Sequence, residues 1–282
     1  MKIRVVTEDI TRSRAPIRYD GNVEVIGTVR SGANLEIDGD LEVFGSVEDA
    51  TINARGNVFI EAGFLGTGTG LITCGGDFEA RFVQSQSVKA IGSVRISRSL
   101  VSSHVLSSRD VTVGSRNSGS IIGGQVNAYG KVEAAIVGSP RPVMTRINVG
   151  LDPVVSERIA ELENEAMDLT KKRIGFIKDL GSVLDADGAD SSADPAIDLK
   201  AAADAIQADL TLVGTKIMEL RKGSGSNPDG TVKVWQESYP PVEISICSSK
   251  ILNDRWTGPV IFRLFENRVI LDTWSMGNGG TT

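Results

Sequence analysis

One histidine and two cysteines are all that the sequence offers to the commonest metal and acid–base chemistries. His104 has no second imidazole to form a ligand set or a catalytic relay, so the usual zinc and general acid–base constellations lack parts. Cys74 and Cys247 stand far apart without metal-type spacing, and a disulfide framework would want more of them, so a reducing compartment is expected. Aromatic residues make up 5% of the chain, too few for one thick core. No stretch approaches eighteen consecutive apolar residues, and the opening MKIRVVTEDITRSRAP has no apolar run of signal-peptide length. A cytoplasmic protein without a membrane span is the expectation. A basic stripe is missing too. Residues 1–150 carry 16 Lys+Arg against 15 Asp+Glu, residues 151–222 carry 9 against 15, and residues 223–282 carry 5 against 6. Acidity is thus concentrated in the middle, and nucleic acid is not an expected partner.

What the sequence has is glycine, 31 residues, and a repeat. Gly21-Asn22-Val23-Glu24-Val25 is echoed at Gly39-Asp40-Leu41, Gly56-Asn57-Val58, Gly76-Asp77-Phe78, Gly92-Ser93-Val94, Arg109-Asp110-Val111 and Gly130-Lys131-Val132, in steps of 18, 17, 20, 16, 17 and 21 residues. After each turn pair an apolar, polar, apolar triplet follows, the alternation of a strand with one buried face. A second alternating pair recurs at Leu35/Ile37, Ile52/Ala54, Ile72/Cys74, Val88/Ala90 and Val126/Ala128, and a weaker mark falls at Val29, Val47, Val83 and Leu100. Three short strands in about eighteen residues predict a β-solenoid of about seven turns over 21–150, each turn burying its apolar face on the next. Gly with Asn or Asp at the corners is expected to supply positive φ. A sandwich of hairpins is the competing architecture, but its strands have no reason to repeat one consensus in phase. GFLGTGTG (63–70) and GSRNSGS (114–120) are the expected corner bulges, and residues 1–20 stand as an N-terminal extension.

At Gly150-Leu151-Asp152-Pro153 the period changes. Val155, Ile159, Leu162, Ala166 and Leu169 step by 4, 3, 4, 3, with the phase resumed at Leu180 after Arg173 and Phe176. Leu199, Ala203, Ile206, Leu210, Val213, Ile217 and Leu220 do the same without a break. These heptads predict an antiparallel coiled-coil hairpin over 151–224, its first helix ending at Gly181-Ser182 and its second starting at Asp194-Pro195. Its Ala-rich seam leaves open a self-contained hairpin or one that dimerises or docks a partner. Alternation returns at Val232/Val234, Val242/Ile244/Ile246, Val260/Phe262/Leu264 and Val269/Leu271, predicting a β segment over 225–275 that covers the solenoid's end, with Trp235, Trp256 and Trp274 suited to it. Residues 276–282, MGNGGTT, read as a tail.

In this order of parts the sequence resembles the flagellar assembly protein A (FapA) family. The likeness rests on GDLEVFGSVEDATINARGNVFIEAGFLGTGTGLITCGGDFEARFVQSQSV (39–88), SIIGGQVNAYG (120–130) and TRINVGLDP (145–153), within a coverage of about Pro16 to Leu271. The resemblance implies a single-stranded, right-handed parallel β-helix, mainly β, in a cytoplasmic, non-enzymatic protein, with flagellar assembly or polar organisation as the role of some members. It also implies a separate N-terminal domain in many members, where this sequence has some fifteen residues. Arg109 departs from the glycine of the repeat.

The residues with chemical potential have plain structural readings. His104 alternates with Val105 and is expected at the surface. Cys74 is expected inward as a small core residue, and Cys247, following Ile246 in a strand, likewise. Gly66-Thr67-Gly68-Thr69-Gly70 lacks the Lys-Ser/Thr end of a P-loop and no helix follows it, so a corner is expected in place of a phosphate cradle. Asp38, Asp40, Glu42, Glu48, Asp49 and Glu61 would be the acids of a carbohydrate-active β-helix enzyme, but Glu24, Glu42 and Glu79 share one outward repeat position and suit a solvated face. Hexapeptide acyltransferases are excluded, because their six-residue step and catalytic histidine are missing. The reading is a scaffold with no catalytic, cofactor-binding or metal residues and no cofactor. Its partners would be proteins or further copies of the chain, joined through the arm or the solenoid ends. A bactofilin-like polymer and a carbohydrate-active enzyme are the alternatives.

Overall fold

The computed structural model describes residues 3–12, 16–186, 194–223 and 225–273. Trp274, the tail at 276–282, Ser224 and most of the polar linker between the helices lie outside the described residues. The chain divides into two units, Met1–Val154 with Ser226–Thr282, and Val155–Gly225.

The first unit is a β-solenoid built on three parallel ladders. Ile3–Val6, Asn22–Val25 and Leu41–Val43 begin the first, which continues through residues 58–60, 78–80, 94–96, 111–113, 132–134 and 232–234. Ile17–Tyr19, Asn34–Ile37, Thr51–Ala54, Leu71–Cys74 and Ser87–Ala90 begin the second, followed by 104–107, 124–128, Thr145–Val149 and Val242–Ile246. The third is narrow and runs through Ile10, Val29, Val47, Phe64, Val83, Leu100, Ile121, Val137 and Ser238. Among the described residues each ladder has nine rungs and therefore eight rises, more than the seven turns the repeat predicts. The extra rungs lie at the two ends. Ile3–Val6, Ile10 and Ile17–Tyr19, expected within an extension, supply the first rung of the three ladders. The last rung, residues 232–246, comes after two helices, so no seventeen-residue step leads to it.

Because the ladders stack in register at roughly 4.8 Å, each inward residue is sealed by the rungs on either side. Val23, Leu41, Val58, Phe78, Val94, Val111, Val132 and Val232 make one such column, and all are buried. The whole interior forms one continuous cluster.

Gly21, at φ 86°, has the positive φ that the sequence suggests, but the other five repeat glycines have a different cause. Gly39, Gly56, Gly76, Gly92 and Gly130 are not among the residues at positive φ. Instead, an Asn or Asp oxygen from the previous turn fills the space of their missing side chains, and at Gly39, Gly56 and Gly92 the backbone of that turn also comes within 3.0 Å of it. Asp40 N donates to Asn22 Oδ1 at 3.0 Å, Asn57 N to Asp40 Oδ1 at 2.7 Å, Asp77 N to Asn57 Oδ1 at 2.8 Å, Ser93 N to Asp77 Oδ1 at 2.8 Å and Lys131 N to Asp110 Oδ1 at 2.7 Å. A Cβ on the five glycines would fall 2.0 to 2.3 Å from these same oxygens. Arg109 now has an explanation. The residue below its turn is Ser93, which lacks the Asn or Asp oxygen that lies under the five glycines.

Beyond the ninth rung, strand direction reverses on every ladder. Val260–Phe265 pairs antiparallel with residues 232–234 and with Arg268–Thr273, Ser249–Asn253 pairs antiparallel with Val242–Ile246, and Thr257 bridges Ser238. Trp256, expected to pack there, is exposed. Trp235 is half-buried, with the Arg116 guanidinium 4.6 Å and the Lys233 ammonium 3.8 Å from its ring centre.

The second unit holds most of two helices, α1 (Pro153–Ala186) and α2 (Asp194–Gly223). Asp152 caps α1 by accepting Val154 N at 3.0 Å, with Pro153 in the first turn, where its missing N–H costs nothing. Contrary to the expected stop at Gly181-Ser182, α1 continues to Ala186. A helical glycine costs only about 1 kcal/mol, and the Ser182 hydroxyl is satisfied by Lys178 O at 3.1 Å. The start of α1 lies beside the end of α2: Arg221 Nη2 donates to Glu163 Oε1 at 2.6 Å, and Val155, Leu162 and Leu220 line one groove. Burial on both helices follows the heptad positions, and Arg173 and Phe176 lie on that seam as half-buried members.

Candidate functional site

Two sequence features with chemical potential, the Gly-rich loop and Asp49, come together. Asp49 sits at a corner with φ of 36°, and the loop of the next turn closes around its carboxylate. Thr67 N donates to Oδ2 at 2.8 Å and to Oδ1 at 3.0 Å, and Thr67 Oγ1 donates to Oδ2 at 3.0 Å. Gly68 N and Thr69 N reach Oδ1 at 3.3 and 3.2 Å, and Gln86 Nε2, from the turn after, donates to it at 2.8 Å. Burial opposes the charge, but the bonds from Gln86, Thr67 and Thr69 outweigh it and hold Asp49 well below the usual carboxylate range.

The glycines follow from this cage. A Cβ on Gly66, where φ is +156°, would lie 2.3 Å from the Asp49 carboxylate, and one on Gly70 would lie 2.2 Å from Gln86 Oε1. Successive N–H groups in such a loop make an anion-binding concavity, and here the chain's own carboxylate fills it. Gln86 is the residue that sequence reasoning missed. It lies 37 positions from Asp49, and no local pattern marks it; its Oε1 is buried without a hydrogen-bond partner.

The other candidate acids are dispersed. Asp38 pairs with Arg55 at 3.2 Å, Asp40 belongs to the corner stack, and Glu48 pairs with Arg30 at 3.0 Å, which also holds Asp9 at 2.9 Å. Glu42 is half-buried on the outward column and Glu61 is exposed. Hydrogen bonds from Thr28 N and Arg30 lower Asp9, and those from Arg95 and Ser93 N lower Asp77.

His104 is exposed on the outer column of the second ladder, stacked between Ser87 and Gln125 with Arg146 one rung further. These residues line a polar groove of about 300 Å³ with Ser85, Ser102 and Gln86. Cys74 faces inward, its thiol pushed up to about 12 by burial and the nearby Asp77 charge. Cys247 differs from expectation. It occupies a turn at φ 53°, half-buried, with Sγ 3.7 Å from Gly150 O, and burial raises its thiol. The strand ends at Ile246 because the chain reverses there into Ser249–Asn253. Among the described residues no group of three or more His, Cys, Asp and Glu could hold a metal ion, and no helix is long and apolar enough to cross a membrane.

The model of the Flagellar Assembly Protein A beta solenoid domain matches residues 5–269. The chain belongs to the FapA family. No match was found among curated proteins or among solved structures. The FapA match takes in most of the first rung, the Asp49 cage, both helices and the reversed strands as far as residue 269. In this FapA chain three N–H groups of the loop at 66–70 are turned onto the carboxylate of Asp49.

Proposed function

We propose that the chain is a non-enzymatic scaffold of flagellar assembly, a right-handed β-helix carrying an antiparallel coiled-coil hairpin, with residues 249–273 capping the ninth rung. The observation that carries this reading is the closure of the Gly-rich loop on Asp49. A carboxylate held ionised by four residues is a poor general acid, and a loop whose N–H groups already face an anion is a poor phosphate cradle. Asp9, Asp38, Asp40, Glu48, Asp77 and Asp110 tie neighbouring turns together, as a stiff rod requires. Domain limits follow the same reading: solenoid to about residue 150, hairpin over 151–224, and a β segment over 225–275 that returns to the solenoid, adds its ninth rung and caps it.

The test is genetic and structural. In a flagellated host lacking this gene, the full chain is expected to restore flagellar number and placement seen by electron microscopy, and a variant without residues 155–225 is expected not to. Normal flagella in the deletion host would overturn the role. Activity on a polysaccharide panel that disappears on changing Asp38, Asp40 and Glu42 would establish the enzyme instead.

A further inference from the structure

The two flanks of the helical pair are chemically unlike. On each helix, one flank consists of the residues immediately after the seam positions, and the other of those immediately before. Glu163 follows Leu162 and Arg221 follows Leu220, so their ion pair places the following flanks of α1 and α2 on the same side. That side exposes Met167 (56%), Ile174 (61%), Ile177 (46%) and Met218 (66%), with Thr170, Thr211 and Gly214 between them. Its charges from Ala160 to Gly181 and Lys200 to Arg221 are Glu163 and Asp204 against Lys200 and Arg221, a net of zero. The preceding flank, Arg158 to Asp179 with Asp198 to Glu219, carries three cations against seven carboxylates, a net of −4.

α1, apolar along its seam and at Met167, Ile174 and Ile177 along this neighbouring row, has the wide stripe of a bundle, not the narrow one of a two-helix pair, and α2 adds Met218 to it from a row that is otherwise polar or glycine. We propose that the neutral flank binds the same flank of a second copy, two hairpins closing into a four-helix bundle about a two-fold axis. Charge selects that occupant. A basic partner would be drawn to the acidic flank, and two acidic arms repel everywhere except across the side where each is neutral. The area is sufficient. Ala160 to Gly181 spans about 32 Å and two helices are about 20 Å wide, so about 600 Å² per copy is covered, the lower edge of a specific interface. This inference rests on the hairpin reading and is independent of the flagellar role.

Sedimentation velocity on the full chain between about 1 and 100 µM (the range suited to an interface of this size) is expected to show the mass doubling. Ile174→Glu together with Met167→Glu should weaken the dimer by about 30-fold or more, the loss of a hot spot. Leu212→Glu, at a 54% exposed position on the acidic flank, should leave it unchanged. Far-ultraviolet circular dichroism confirms that each variant keeps its helices. A wild-type monomer throughout the range, a dimer indifferent to the double variant, or one dissolved equally by Leu212→Glu overturns the proposal. Glu163→Cys with Arg221→Cys, oxidised, reports separately on the hairpin: an intrachain cross-link with a monomeric wild type would sink the dimer and leave the hairpin standing.

Discussion

In the solenoid, Val25, Leu41, Phe64 and Ile121 are closed off by the rungs above and below, whereas in the helical unit only Leu162, Ala203 and Val213 are fully buried among the described side chains. The difference follows from geometry. A solenoid turn has two neighbours and shares its interior with both, so even short strands of three or four residues seal small side chains completely. Two helices have only each other, and their seam stays half-open however regular the heptads are. Stability is therefore stored unevenly along the chain, with large side-chain truncations costly in one unit and mild on the surface of the other.

The sharpest break of that contrast is a pair of substitutions. Phe78→Ala removes a ring sealed between rungs and is expected to cost about 4 kcal/mol, seen as a lower denaturant midpoint. Leu212→Ala, at an exposed helical position, should stay within about 0.5 kcal/mol. Equal losses would mean that the helical unit is covered by something that seals it as the rungs seal the solenoid.

Next in size is the corner stack. Gly56→Ala would place a Cβ 2.2 Å from Asp40 Oδ1, and the overpacking is expected to cost about 3 kcal/mol. In an Asp40→Ser background the same change should cost about 1.5 kcal/mol, since the clash with the carboxylate goes and the backbone approach of 2.9 Å to Asp40 N and Gly39 C remains. A double-mutant cycle of denaturant unfolding measures the coupling. If alanine at 56 is as harmful over serine as over aspartate, the backbone of residues 39 and 40, 2.9 Å from that Cβ, and not the side chain below is the reason for the glycine.

The legible and illegible parts of the molecule divide by sequence distance. Inward pairs such as Leu35/Ile37 and heptad steps such as Leu199 to Leu220 repeat within two to four residues, and the structure places them where alternation and helical period require. The rule that ties Gly56 to Asp40 spans a whole turn. Both residues were visible, but their dependence was not, because a motif of Gly-Asp reads as a local turn. The first rung escaped because Ile3–Val6 follows no Gly-Asx pair in the sequence. The last escaped because α1 and α2 stand between it and the eighth. Arg173 shows a different limit. A cation on a heptad seam looks like a break in phase, yet its long stem can lie along apolar surface while the helix keeps its register.

The Asp49 cage gives the smallest effect and the one with a pH signature. An amide at 49 would keep one accepting oxygen but turn its NH2 toward Thr67 N or Gln86 Nε2, so Asp49→Asn is expected to cost about 2 kcal/mol at pH 7. The carboxylate's folded value is depressed below the ordinary one near 3.9. Its contribution is therefore fully present above that value and is lost as pH falls below it, because the unfolded chain takes up the proton first. Wild-type solenoid stability should fall steeply from about pH 4 downward, with Asp9 and Asp77, also depressed, acting in the same direction. The Asp49→Asn protein should show a shallower fall over the same range, so the two unfolding curves converge in acid. Parallel curves down to pH 2 would mean that the loop at 66–70 holds its shape without the charge, and the cage would then be a consequence of the corner instead of its cause.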